Sequence, residues 1–318
     1  MYKVGIVILN WNSFDDSESL MLSLIGQPIT IYLADNGSID TSLLLLKEKF
    51  KHYDNVSFIE NGSNLGFAAG CNRALKAAYD DGCEVMILMN NDCRIYSIDF
   101  TYIQKRLSED KTIGIMGGKI LNWPDTNKIW SVGGSVDSLG NIKYFGYGKV
   151  DTGQYDLENE RSFISGAFMC IPRRSIERIG YLSEAYFFGK EDWEYCLRLR
   201  QSGAKLIYDP RLILYHDAHG SHHPNRTDYL YLGMLSKIIF VKRNNSFIVS
   251  SLWLLAFGVY SLIISSGGFG YLFSKILKRN VDQKIVRRAY FPAIIDSFKT
   301  NHTDESTLKN FREKYEIC

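Results

Sequence analysis

Apolar residues come along this chain in short runs that stop at polar clusters. Val4-Gly5-Ile6-Val7-Ile8-Leu9 is brief, rich in β-branched residues and apolar at successive positions, the pattern of a central strand buried on both faces. It stops at Asn10-Trp11-Asn12, and a helix is predicted over residues 17–25. A second strand, over 29–33, stops at Ala34-Asp35-Asn36-Gly37-Ser38-Ile39-Asp40. There Gly37 permits a tight turn, and Asp40 or Ser38 can cap a helix running through Phe50. A third strand, over 56–59, stops at Asn61-Gly62-Ser63-Asn64-Leu65-Gly66 ahead of a helix over 67–79. A fourth, starting at Glu84-Val85-Met86-Ile87, ends in Leu88-Met89-Asn90-Asn91-Asp92. Strands alternating with helices at this spacing predict βαβ units and a mainly parallel sheet. Polar strand ends at the carboxyl edge of such a sheet face the crevice where ligands bind.

Beyond Asp92 the pattern loosens. Residues 113–120 are β-rich, while Trp130-Ser131-Val132-Gly133-Gly134 and residues 141–147 read as irregular strands. Residues 146–160 are polar and contain glycine, which predicts a mobile loop. Phe163-Ile164-Ser165-Gly166-Ala167-Phe168-Met169-Cys170-Ile171 predicts a strand with a small-residue kink, and residues 173–179 a short helix closed by Gly180. Phe187-Phe188-Gly189-Lys190-Glu191-Asp192-Trp193-Glu194 opens a helix that runs to Ser202, and an interrupted strand then leads from Lys205 past Asp209-Pro210 to His216.

Four polar positions carry candidate chemistry, each beside a plainer role. Asp92 offers a hard oxygen to a divalent cation, and it equally suits a strand-to-turn junction. Asp35 can accept from a pyrimidine N–H or a ribose hydroxyl, or cap its own turn. Glu191 and Asp192 complement a helix dipole; a carboxylate sheltered by the preceding Phe pair would also have the raised pKa of a general base. His216 is a structural imidazole or a further ligand to an ion at Asp92.

Composition narrows the classes. The 318 residues are 46% hydrophobic and 23% charged, enough for a large core, and the net charge of +2 lacks the concentrated basic stripe of a nucleic-acid binder. The six cysteines show no C-x-x-C spacing, which predicts reduced, partly buried thiols in a cytosolic setting, without a zinc site or disulfide framework. The apolar run at 4–9 has the length of a strand, so no signal peptide is expected. Neither G-x-G-x-x-G nor G-x-x-x-x-G-K-[ST] occurs.

Asn10-Trp11-Asn12, Asp35-Asn36-Gly37-Ser38-Ile39-Asp40, Asn64-Leu65-Gly66-Phe67-Ala68-Ala69-Gly70, Asn90-Asn91-Asp92, Ser165-Gly166-Ala167, Phe187-Phe188-Gly189-Lys190-Glu191-Asp192 and His216 form an ordered set over roughly residues 3–222. In that order and spacing the chain resembles the inverting family 2 nucleotide-sugar glycosyltransferases of the GT-A fold. Within them it is similar to the bacterial rhamnosyltransferase-like branch that builds O-antigen and capsule. The resemblance implies an α/β fold with a Rossmann-like, mixed and mainly parallel sheet flanked by helices. It implies a nucleotide-sugar donor held by Asn10, Asn12, Asp35, Asn36, Asn64, Gly66 and Asn91. It implies Mg²⁺ or Mn²⁺ at Asp92 and His216, and a catalytic base within Glu191-Asp192, with Asp192 favoured. The metal motif carries one carboxylate where many relatives have Asp-x-Asp, and Cys71 replaces a common amide. An inactive pseudo-transferase would tolerate loss of these residues, all of which are present. A nucleotidyltransferase would want a basic loop after the first strand, and residues 10–16 hold no Lys or Arg.

Residues 1–225 are thus expected to form the catalytic domain, with a nucleotide-binding half at 1–93 and an acceptor half at 94–225, and 226–318 a helical membrane-associated region. No charged residue occurs from 244 to 274. Lys242-Arg243 precede that run, and residues 275–318 carry ten Lys/Arg against six Asp/Glu. Basic flanks on both sides, with Gly267, Gly268 and Gly270 interrupting the apolar stretch, predict monotopic or re-entrant attachment at the cytoplasmic membrane face. That placement suits a lipid-linked oligosaccharide acceptor and a soluble donor.

Overall fold

A computed structural model describes residues 3–217, 226–265 and 283–315. Two compact units divide the chain, the first made of Met1–Asp137, Asn141–Ser183 and Glu191–His222, the second of Ser138–Gly140, Glu184–Lys190 and His223–Cys318. The main break falls between His222 and His223. Two short pieces of the expected acceptor half nevertheless belong to the second unit, because hydrogen bonds hold them there. Asn245 Nδ2 donates to Ser138 O at 2.6 Å, and the Thr303 amide donates to Ala185 O at 2.9 Å.

The first unit is built on a ten-stranded mixed sheet. Its amino-terminal portion comprises β1 (Lys3–Asn10), α1 (Phe14–Leu24), β2 (Thr30–Asp35), α2 (Ser42–Phe50), β3 (Val56–Glu60), α3 (Phe67–Asp80) and β4 (Cys83–Asn90). All three pairings in the order β4-β1-β2-β3 are parallel. The β-branched and aliphatic runs read from the sequence are buried on both sheet faces, with Ile6, Val7 and Ile8 fully covered. Strand order reverses between β1 and β4, which opens a crevice at their carboxyl ends.

The remainder of the sheet is where the chain departs from sequence expectation. After β4 the chain forms a further strand, β5 (Cys93–Ser97), and a helix, α4 (Phe100–Glu109), capped by Asp99 accepting from the Tyr102 amide at 2.9 Å. Then come β6 (Ile113–Asn122), β7 (Ile129–Ser131), β8 (Gly134–Val136), β9 (Ile142–Tyr144), β10 (Asn159–Arg161), β11 (Phe168–Pro172), α5 (Arg173–Ile179), α6 (Glu191–Gln201) and β12 (Lys205–His216). β11 lies between β4 and β6 and runs antiparallel to both. Its amino end, rather than its carboxyl end, therefore meets the crevice edge.

β12 is one long strand where two pieces are expected. It pairs in parallel with β6 throughout, but the register jumps from Asp209↔Gly118 to Ile213↔Lys119. Residues 210–212 bulge out, and Pro210 costs no ladder bond there. The partner at the bulge is Gly118, where a Cβ would stand 2.3 Å from Leu212 O. Asp209, fully buried, closes the bulge by accepting from Tyr102 Oη (2.6 Å), the Arg211 amide (3.0 Å) and Arg211 Nη2 (2.7 Å). The segment predicted to be a mobile loop at 146–160 is anchored: buried Lys119 Nζ donates to Asp151 Oδ2 (2.7 Å) and to Asp156 Oδ1, and Tyr208 Oη to Tyr155 O (2.8 Å). A polar stretch reads as loose from sequence because its anchor lies in a distant strand.

The second unit is helical. It contains α7 (Arg226–Asn244), α8 (Phe247–Ser265), α9 (Gln283–Asp296) and α10 (Glu305–Tyr315). Tyr231 and Phe311 stack with centroids 3.8 Å apart, and Arg312 Nε donates to buried Asp228 at 2.8 Å, tying α10 to α7. Among the described residues α8 is the one helix long and apolar enough to cross a membrane. The glycines expected to interrupt the apolar stretch, at 267, 268 and 270, lie outside the described residues.

Burial alone would raise the Asp209 carboxyl, but the bonds from Arg211 and Tyr102 outweigh it and hold it below the usual carboxylate range. A carboxyl held low in the folded chain contributes stability above its unfolded value of about 3.9, and the contribution is lost as pH falls through the folded value. Asp209→Asn is therefore expected to destabilise the chain by about 1–3 kcal/mol at neutral pH. In urea titrations the loss should shrink below about pH 4. An unchanged midpoint at pH 7 would show that the bulge does not depend on this carboxylate.

Candidate active site

Asn10, at the end of β1, organises the nucleotide-side wall. It is fully buried and opposite Asp35 in the parallel register. Its amide donates to Asp35 Oδ1 (2.8 Å), Ser38 Oγ (3.2 Å) and Ser42 Oγ (3.1 Å), and its carbonyl accepts from Ser17 Oγ (2.7 Å). With every polar atom engaged, Asn10 shapes the wall from behind. Asp35 also accepts from the Ser38 amide and hydroxyl at 3.0 and 2.6 Å, so the turn-capping role open to it in the sequence is present. Asn12 adopts φ 51° and accepts from the Ile39 amide at 2.8 Å, clipping the β1 and β2 loops together.

Asn36 has the same role in the neighbouring loop. It donates to Asn64 Oδ1 (2.9 Å) and Gly66 O (3.2 Å), and accepts from the Leu65 amide (3.1 Å). Gly66, with φ 81°, opens α3, and Asn64 Oδ1 accepts from its amide at 3.0 Å. Gly37, with φ 72°, lets the two loops touch: a Cβ there would lie 2.5 Å from the Ser63 backbone. These expected donor-site residues thus come together as one hydrogen-bonded rim.

On the other side of the crevice stand Asn90, Asn91 and Asp92. Asn91 Nδ2 donates to Ser17 Oγ at 3.0 Å, so buried Ser17 joins both walls; no sequence signal singles it out. β12 pairs antiparallel with β5, placing His216 opposite Cys93. His216 Nε2 is 3.0 Å from Asp92 Oδ1 and 3.2 Å from Asn90 Nδ2, and both His216 and Asp92 are about 95% buried. Among the described residues His216 Nδ1 has no hydrogen-bond partner. A hard oxygen and an imidazole nitrogen 3.0 Å apart match two adjacent ligands of an octahedral ion with bonds of about 2.1 Å. Cys93 Sγ lies in the same cluster, a neighbour that cysteine spacing could not disclose. Burial, with Asp92 beside it, pushes this thiol well up, and it donates to Ala167 O at 3.5 Å, so it sits there as a thiol. The Trp130 ring stands edge-on to His216 with centroids 4.3 Å apart, a second neighbour that strand patterning does not disclose.

The antiparallel β11 delivers the third component. Ala167 O accepts from the Asn90 amide at 3.1 Å, so Ser165-Gly166-Ala167 lies against the end of β4. The Gly166 amide in turn donates to Asp192 Oδ2 at 3.3 Å, at the start of α6. Asp192 remains partly exposed, whereas Glu191 is buried with Cys71 among its neighbours. The aromatic pair expected to shelter the carboxylate is used in the second unit: Phe188 packs on Tyr229 and the Phe187 amide donates to Thr303 Oγ1.

Sheet and site together define a GT-A glycosyltransferase fold. The structure of GalNAc-T7 with UDP, GalNAc and Mn²⁺ superposes with a TM-score of 0.59 at 15% identity, over 100% of this chain and 55% of that one. The mannosyltransferase PcManGT from Pyrobaculum calidifontis, with GDP-Man and Mn²⁺, gives 0.55 at 13% identity, over 95% and 88%. The chain belongs to glycosyl transferase family 2, whose sequence profile matches residues 6–180. It is 23% identical over 207 residues to the low-salt glycan biosynthesis hexosyltransferase Agl10 of Haloferax volcanii, covering 64% of this chain and 63% of that protein, less than two thirds of its length. It is 26% identical over 214 residues to N-acetylglucosaminyl-diphospho-decaprenol L-rhamnosyltransferase of Mycobacterium tuberculosis, covering 61% and 69%.

Metal affinity tests the Asp92–His216 pair directly. In Mn²⁺ titrations followed by electron paramagnetic resonance, His216→Ala is expected to weaken binding at least about tenfold and Asp92→Ala to abolish it. Parent-like titrations for both variants would return the pair to a structural hydrogen bond.

Proposed function

We propose that this chain transfers a hexosyl group, rhamnosyl in the first instance, from a nucleoside-diphosphate sugar to a hydroxyl of a lipid-linked glycan, inverting the anomeric centre. Cell-surface polysaccharide synthesis, of the O-antigen or capsule kind, is the proposed setting, at the cytoplasmic face of the membrane. The observation that carries the reading is the convergence of Asp92, His216 and Asp192 on one sheet edge beside the Asn36–Asn64 rim. The decaprenol-linked acceptor and rhamnosyl donor named for the mycobacterial relative support the choice of substrates.

In this reading the rim of Asn12, Asp35, Asn36, Asn64 and Gly66 holds the nucleoside, and Asn91 orients the diphosphate. Asp92 and His216 would hold Mg²⁺ or Mn²⁺, which neutralises charge on the departing diphosphate. Asp192 takes the proton from the acceptor hydroxyl as its oxygen attacks the sugar C1 from the face opposite the leaving group. The Gly166 amide bond aims that carboxylate. Residues 191 and 192 point about 100° apart on a helix, and it is Glu191 that is turned into the protein.

Asp192→Asn keeps size and polarity but cannot take the proton. It is expected to lower kcat about 10²- to 10⁴-fold with donor binding nearly unchanged, measured as nucleoside-diphosphate release at saturating donor. Glu191→Gln should leave more activity, with losses traceable to stability. Near-parent turnover by Asp192→Asn beside a dead Glu191→Gln would move the base to Glu191, and two active variants would sink the mechanism. NMR of the product's anomeric proton decides inversion.

A further inference from the structure

Helix α8 presents an apolar outer face. Its buried positions are Ser250, Ser261, Ile264 and Ser265, while Ile248, Leu252, Leu255, Val259 and Leu262 are exposed, Leu255 by 66%. At 100° per residue those five exposed side chains fall in one stripe about 80° wide. A helix facing water has the opposite polarity. Two of the inward serines are satisfied at home: Ser250 Oγ donates to Val241 O at 3.3 Å and Ser261 Oγ to Phe257 O at 2.8 Å. The outward stripe is a contiguous apolar surface, the kind that marks contact with an apolar partner.

The neighbouring helices rule out a simple span. α9 runs alongside α8: Arg287 Nε donates to Ser265 O at 3.0 Å, and Tyr290 packs on Phe257 at 5.5 Å. Only residues 289–295 of α9 lie between charges, a rise of about 10 Å where hydrocarbon is about 30 Å thick. α7 places Lys237 over the Trp253 ring at 5.8 Å, beside the seventh of the 19 residues of α8. Exposed basic residues stand at both ends of α8, Lys242 and Arg243 before it, Arg287 and Arg288 beside its last turn.

We infer that α8 docks in the plane of a membrane, its Ile248–Leu262 stripe sunk into the interface of an anionic lipid surface and the basic groups at its two ends on the headgroups. This rests on the membrane-attached transferase reading and commits it to one geometry. The docked face would hold the chain at the surface where a lipid-linked acceptor resides.

The test uses the full chain on vesicles of phosphatidylcholine with and without phosphatidylglycerol. Flotation should require the anionic lipid, with Arg243→Gln and Arg288→Gln each lowering partition about fivefold. Leu252→Ser with Leu255→Ser should lower it at least about tenfold with unaltered circular dichroism, since both side chains are exposed. Single cysteines replacing Ile248, Leu255 or Leu262, labelled with an environment-sensitive fluorophore, then report depth through lipids brominated near the headgroup or near the chain end. Equal, shallow quenching at all three sites is expected. Deep quenching at 255 with shallow ends would mean a span, and no quenching or flotation would mean no docking; either overturns the inference. Binding of UDP, GDP or dTDP with Mn²⁺, measured on the same preparations, separates the two readings. Nucleotide binding without docking removes this inference alone, and docking without nucleotide binding removes the transferase mechanism.

Discussion

The reversal of one strand makes this site. β11 lies between β4 and β6 but runs against both, so its amino end reaches the edge where β1, β2 and β4 have their carboxyl ends. Had it run parallel, Ser165-Gly166-Ala167 would stand at the far edge, and the Asn90 amide would lose Ala167 O as its acceptor. The backbone bond from the Asn90 amide to Ala167 O and the bond from the Gly166 amide to Asp192 Oδ2 form a chain of two links between the end of β4 and the candidate base. The first link is backbone to backbone and the second ends on a side chain, so the sheet fixes where the Gly166 amide stands and that amide in turn orients the Asp192 carboxylate.

Around that edge the chain divides its buried polar groups into two kinds. Asn10 and Asn36 spend their amide donors and acceptors on neighbours. Such satisfied networks rigidify loops that otherwise have few apolar contacts. Asp92 and His216 are equally buried yet mainly face each other, and His216 Nδ1 finds no partner among the described residues. A buried carboxylate and imidazole so lightly engaged cost free energy, and a cation held between them would recover it. Trp130 and Cys93 flank the pair with an indole ring and a protonated thiol, leaving a hard oxygen and an imidazole nitrogen as the groups a cation would meet.

Much of the nucleotide half is legible in the sequence because central parallel strands are buried on both faces, and uninterrupted apolar runs are what that environment demands. The polar clusters that end them sit where expected, as do the short helix α5 and its Gly180 cap. The acceptor half is less legible for the converse reason. β7 to β10 are three residues each, too short for a period to show. Asp99 followed by Phe100, Ile103 and Leu107 does spell a capped amphipathic helix, yet α4 is absent from the elements expected between Asp92 and the strand at 113. The meeting of His216 with Asp92 depends on the bulge at 210–212, which Asp209-Pro210 marks in the sequence, and on pairing between strands more than a hundred residues apart, which leaves no local trace. Asn10 shows the remaining gap: residue type and position put it at the crevice, but its bonds to Asp35, Ser38, Ser42 and Ser17 are disclosed only by the packing.

The second unit illustrates polarity as information. Apolar content alone nominates α8 as a span, since length and composition are all that such a test weighs. The arrangement of that content says more. Ser250, Ser261 and Ser265 are buried while Ile248, Leu252, Leu255, Val259 and Leu262 are exposed on the same helix, and that outer stripe is the face the proposed docking gives to lipid. α7 and α9, which contact α8, carry charges at intervals no hydrocarbon core accommodates. An apolar exterior on one face and charged neighbours behind it are compatible at a single depth, the boundary between headgroups and acyl chains. That boundary is also where a soluble nucleotide sugar and a lipid-linked hydroxyl can meet.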